Sequence, residues 1–235
     1  YLFTMGKGGV GKTTVATQLA TALSNKGYRV LLATTDPTKE INVETTSNLN
    51  TAYIDEEQAL EKYKKEVLAT VNNDTPQDDI DYIMEDLKSP CTEEIAFFKA
   101  FSDIMENQED MDYVIIDTAP TGHTLLLLDS SENHHRELKK KSTQTTSNVE
   151  TLLPKIQNKN LTQMIIVTLA EKTPYLESKR LVEDLNRANI GHNWWVVNQS
   201  LVTLNQRDDL FNNKKEDESF WIDKIKNESL NNYFE

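Results

Sequence analysis

An α/β fold built on a doubly wound, mostly parallel sheet with helices on both faces is predicted by three observations. Short apolar runs recur at Tyr1 to Met5, Tyr28 to Thr34, Tyr113 to Ile116, Met164 to Leu169 and Trp194 to Val197, as fully buried parallel strands do. Helical patterns lie between them. The first run opens directly into Gly6-Lys7-Gly8-Gly9-Val10-Gly11-Lys12-Thr13-Thr14, a glycine-rich turn between a strand and an amphipathic helix.

Taken in order, the Tyr1 to Met5 strand leads through that turn into a helix over Thr13 to Asn25, closing at Gly27. After the second strand, Thr38 to Gln77 is rich in Asn, Thr, Glu and Lys and reads as a solvated helical insertion, with a helix at Glu56 to Val71. Helices over Asp78 to Leu87 and Thr92 to Glu106 lead to the third strand, which ends at Asp117. Ser130 to Asn148 is a polar, lysine-rich segment expected to be mobile; His134 and His135 within it are read as facing solvent. Pro174 to Ala188, ending near Gly191, joins the last two strands, and Phe220, Trp221, Ile222 and Ile225 mark the apolar positions of one helix in the tail. No closing strand is legible after it, and Tyr1 is not an initiator methionine, so further chain is expected at both ends. Residues 1–235 are expected to form one domain.

Composition narrows the function classes. The chain of 235 residues carries a formal net charge of -13, which repels nucleic acid and anionic lipid. One cysteine, Cys91, excludes an internal disulfide framework and fits a reducing compartment; it also falls short of iron–sulfur ligation. No apolar run approaches the roughly 20 residues that span a bilayer, and no signal segment is present, so a cytoplasmic protein without direct membrane insertion is expected.

The glycine-rich turn carries the chemistry. Gly6, Gly8, Gly9 and Gly11 let backbone amides surround a polyphosphate where a Cβ would block the approach. The helix start adds its positive dipole end, Lys12 a mobile ammonium for the β and γ phosphates, and Thr13 a hydroxyl for magnesium, with Thr14 placed for a further phosphate contact. ATP and Mg2+ are the expected ligands. Val114-Ile115-Ile116-Asp117 is an apolar strand ending in a carboxylate, which should hold the magnesium directly or through water. Asp36, in Thr34-Thr35-Asp36-Pro37-Thr38, is the candidate for orienting the attacking water; capping the next helix is the alternative use of the same carboxylate. Asn198 follows a strand and its amide offers a donor and an acceptor to an adenine edge, or else caps a turn.

Lys7 is a second lysine inside the loop. The pattern K-G-G-V-G-K-T-T resembles the deviant Walker ATPases, and the resemblance implies that Lys7 reaches across a twofold interface to the nucleotide of the facing domain. The resemblance sharpens at Ser89-Pro90-Cys91-Thr92-Glu93-Glu94-Ile95-Ala96, at Asp117-Thr118-Ala119-Pro120-Thr121-Gly122-His123-Thr124 with the leucines after it, and at Val167 to Pro174. Over nearly its whole length the chain resembles the arsenical pump-driving ATPases, and in particular the second nucleotide-binding half of their tandem members. That resemblance implies an ATPase coupled to trivalent arsenic or antimony, with Cys91 and His123 as metalloid ligands and Ser89 as a further oxygen ligand. It also implies that Asp117 to His123 is the switch between the two sites. The partners implied are a second copy or a fused second half, and an integral membrane arsenite efflux protein to which the chain binds peripherally. One cysteine per chain departs from a site of three thiolates, so a tight metalloid site requires ligands from that second half. The alternative function is a targeting ATPase of the same superfamily, a carrier of tail-anchored membrane proteins; it needs an exposed Met- and Leu-rich groove and often a C-x-x-C clasp, and neither is legible.

Overall fold

All five apolar runs become the inner strands of one parallel sheet, because strands covered on both faces can be apolar at every position. In the computed structural model, which describes residues 1–35, 43–72, 75–106, 108, 110–118, 152, 154–202, 209–230 and 232–234, β1 (Leu2–Met5) is followed by α1 (Lys12–Asn25), β2 (Val30–Thr34), β3 (Leu49–Tyr53), α2 (Glu56–Ala69), α3 (Gln77–Asp86) and α4 (Pro90–Glu106). Then come β4 (Tyr113–Asp117), β5 (Gln163–Thr168), α5 (Lys172–Arg187), β6 (Trp194–Val197), α6 (Asp209–Glu228) and β7 (Tyr233–Phe234). The sheet order is β3-β2-β4-β1-β5-β6-β7, with every strand pair parallel.

Alternation along each strand divides the core into two layers. Leu31, Ala33, Val114 and Ile116 join Phe3 and Met5 on the face covered by Phe101 and Met105 of α4, Leu181 and Leu185 of α5, and Ile222 and Ile225 of α6. Val30, Leu32 and Ile115 point to the other face, where Ala16 and Ala20 of α1 let the helix lie close. The rings of Phe3 and Phe101 meet at 6.0 Å, tying the first strand to α4. α2 lies outside this core, held to α4 by Lys62–Asp103 at 3.1 Å and by Lys99–Glu66. Asp55 caps its first turn by accepting from the Gln58 amide at 3.0 Å.

Two elements differ from the expectations. Within Thr38 to Gln77, read as a helical insertion, the described residues include β3, which pairs with β2 from Val30↔Leu49 to Thr34↔Tyr53. Only Leu49 of this edge strand is buried; Asn50, Thr51 and Tyr53 are exposed, so its composition is that of a solvated segment. A closing strand, expected to be missing, is present as β7, with Trp195↔Tyr233 and Val196↔Phe234 in register and the rings of Trp194 and Phe234 stacked at 5.4 Å. Two residues are too few to show a period of two. The segment Ser130 to Asn148 lies outside the described residues.

Candidate functional site

β1 sits at the point where the chain changes winding direction: the sheet grows through β4 and β2 on one side and through β5 and β6 on the other. A crevice at the carboxyl end of β1 follows from that order. The glycine loop fills it. At Gly6, with φ +148°, a Cβ would lie 2.1 Å from the Val167 carbonyl oxygen, so only glycine lets the loop leave β1 against the end of β5. Gly11 has φ 90° and forms the N-cap of α1; no side chain caps that terminus and no acidic residue stands in its first turn. Backbone N–H groups and the positive dipole end are therefore directed at whatever anion enters the loop.

Lys12 is 2% exposed, and its Nζ donates to the Lys7 carbonyl at 3.3 Å, so the ammonium is folded back under the loop. Lys7 is half-buried, and Gly8, Gly9 and Thr14 are exposed. Asp117 is 1% exposed. Its Oδ2 accepts from Thr13 Oγ1 at 2.6 Å and its Oδ1 from Thr4 Oγ1 at 3.3 Å. Residues 104 positions apart thus meet at the mouth of the loop, bringing together a hydroxyl and a carboxylate, the hard oxygen donors that suit Mg2+. These two hydroxyl donors offset part of the cost of burying the carboxylate.

Three threonines brace this carboxylate: Thr4, which the sequence did not single out, and Thr35 and Thr118, which it showed only as parts of longer motifs. Thr4 donates to it, Thr118 Oγ1 donates to the Thr4 carbonyl at 2.8 Å, and the Thr35 amide donates to the Asp117 carbonyl at 3.0 Å. A signal was available: Thr4 interrupts an apolar strand and is fully buried. Asp36 follows Thr35 and lies outside the described residues. Asn198 follows β6, and its Nδ2 donates to the Val10 carbonyl at 2.9 Å.

The residues named for a metalloid site start at α4. Ser89 is half-buried in the turn before that helix, where its carbonyl accepts from the Thr92 amide at 2.9 Å and Thr92 Oγ1 donates to Asp86 O at 2.6 Å. Cys91 lies in the first turn of α4. His123 lies outside the described residues. Among the described residues, no group of three or more His, Cys, Asp and Glu side chains converges, and no helix is long and apolar enough to cross a membrane.

The profile of the anion-transporting ATPase family matches residues 1–153 and 138–232. An arsenical pump-driving ATPase of Acidiphilium multivorum is 40% identical over 228 residues, covering 95% of this chain and 39% of that protein. A putative arsenical pump-driving ATPase 2 of Aquifex aeolicus is 32% identical over 261 residues, covering 94% of this chain and 87% of the relative. The ATPase GET3 of Komagataella phaffii is 28% identical over 252 residues, covering 86% and 73%. The chain therefore spans 39% of the length of the first of these curated relatives.

Proposed function

Since the chain belongs to the anion-transporting ATPase family, we propose that it binds ATP on the Gly6 to Thr14 loop, hydrolyses it, and couples hydrolysis to trivalent arsenic or antimony for export through a membrane efflux partner. The observation that carries the nucleotide part is the 2.6 Å contact between Thr13 Oγ1 and Asp117 Oδ2 beside the uncapped start of α1. Thr13 and Asp117 would hold magnesium, which when bound neutralises phosphate charge. Lys12 swings from the Lys7 carbonyl to the β and γ phosphates, and the Gly8, Gly9 and Gly11 amides orient the chain of phosphates.

In this reading Asp36 orients the attacking water, Lys7 reaches the nucleotide of a facing copy or fused half, and Asn198 offers its amide to adenine. Phosphoryl transfer asks for little more than such positioning and charge neutralisation. The metalloid part rests on Cys91: a soft thiolate suits trivalent As or Sb, and the first turn of a helix favours its deprotonation. Ser89 and His123 complete the ligand set on this side, with the remaining ligands from the second half. The carrier reading ranks second, because the relatives at 40% and 32% identity bear the arsenical name and the GET3 relative stands at 28%.

The test measures phosphate release from MgATP with and without antimonite, on the native chain and on Cys91→Ser. Stimulation in the native protein that is lost in the variant supports the whole proposal. Hydrolysis without any stimulation removes the metalloid part and keeps the ATPase; no hydrolysis and no MgATP binding removes both.

A further inference from the structure

We infer that Asn198 is a positioning residue for the phosphate loop, holding the Val10–Gly11 peptide in the one orientation that presents an N–H to an anion; this rests on the nucleotide reading above. That peptide turns about ψ of Val10 and φ of Gly11, and Gly11, at φ 90° and without a Cβ, puts no steric barrier on its side of the rotation. A peptide is planar and trans, so its C=O and N–H point in opposite directions. Turning it over would replace a donor with a carbonyl oxygen at the phosphate side and convert an attractive dipole into a repulsive one.

Asn198 opposes that rotation from the next strand but one. Its backbone amide donates to the Thr168 carbonyl at 2.9 Å, which seats the turn after β6 on β5. Gln199 adopts φ 58°, an unfavourable conformation for a residue with a side chain, so the reversal there is tight. From this anchored turn Nδ2 donates to Val10 O at 2.9 Å, across 188 positions of sequence. With the Val10 carbonyl held toward Asn198, the Gly11 N–H points away from it. The room for the amide exists because Gly11 lacks a side chain: a Cβ there would lie 2.1 Å from Nδ2. The pairing of Asn198 with Gly11 is thus a matched fit, one residue supplying the tie and the other the space for it.

This role is separable from any contact with the base, because it acts on ligands that have no base. Calorimetric titration of the native chain and Asn198→Ala with MgATP and with magnesium tripolyphosphate tests it. One buried hydrogen bond to an otherwise mobile peptide corresponds to about a fivefold loss in affinity. The expected result is about that loss for tripolyphosphate and at least as large a loss for MgATP, whose adenine loses the amide as well, with the unliganded melting temperature lowered by no more than a few degrees. If alanine prevents folding, Asn198→Ser, which keeps a polar group in the turn and is too short to reach Val10, is expected to weaken both ligands in the same way. Any other pattern overturns the inference, above all ATP weakened with tripolyphosphate unchanged, which would confine Asn198 to the base. A native chain that binds neither ligand defeats the nucleotide reading itself, a distinct outcome.

Discussion

Replacing Asp117 by Asn separates the binding chemistry of the site from its stability. The carboxylate is 1% exposed and accepts from Thr13 at 2.6 Å and Thr4 at 3.3 Å. Asparagine has the same shape, and the two hydroxyls can rotate to serve it, so the unliganded fold should melt within a few degrees of the native chain or slightly above it, since a desolvated charge has been removed. Magnesium binding should suffer. Losing the charge of one such ligand costs about 3 kcal/mol, close to 100-fold in affinity. At a ligand concentration of about 100 times the native Kd, MgATP stabilises the native chain by about 2.7 kcal/mol, or roughly 5–10 °C for a domain of this size. The same concentration then equals the variant's Kd, and the stabilisation falls to about 0.4 kcal/mol, roughly 1 °C. Thermal melts with MgATP, and with ATP in EDTA, provide the assay. In EDTA the two proteins should shift alike. An undiminished MgATP shift in Asp117→Asn, or a collapse of the unliganded fold, refutes the reasoning.

Lys7→Ala should retain nucleotide binding and lose hydrolysis, measured as phosphate release; full activity would remove its role at a shared interface. Gly6→Ala places a Cβ 2.1 Å from the Val167 carbonyl, a backbone atom that cannot step aside, so urea titration should show a loss of at least about 3 kcal/mol, and native-like stability would contradict the close approach. His192 is held below its ordinary pKa by burial and by the nearby Lys159 charge, and its Nε2 lies 2.9 Å from Asn186 Oδ1. The folded chain therefore resists a proton that the unfolded chain accepts, so stability should begin to fall as pH drops through 6.5, and His192→Gln should flatten that dependence between pH 7.5 and 5.5; an equal slope in both proteins excludes His192 as its source.

Legibility in the sequence followed locality. The inner strands β1, β2, β4, β5 and β6 were apparent because a strand covered on both faces is an apolar run, and Gly6 to Thr14 because its chemistry is confined to nine consecutive residues. Asp117 was apparent as the polar end of such a run. The edge strands escaped for opposite reasons: β3 buries one residue of five and so looks like a solvated loop, and β7 has two residues.

By itself the sequence determined the strand–loop–helix at the front, the terminal carboxylate of β4, and the alternation that forces a parallel sheet, because each of these depends on neighbours along the chain. Only the tertiary structure decided that Thr13 meets Asp117, that Thr4, Thr35 and Thr118 brace that carboxylate, and that Asn198 holds Val10. Those contacts exist because the order β2-β4-β1-β5-β6 lays the ends of strands far apart in sequence side by side, and a hydrogen bond depends on distance in space, which no spacing along the chain encodes.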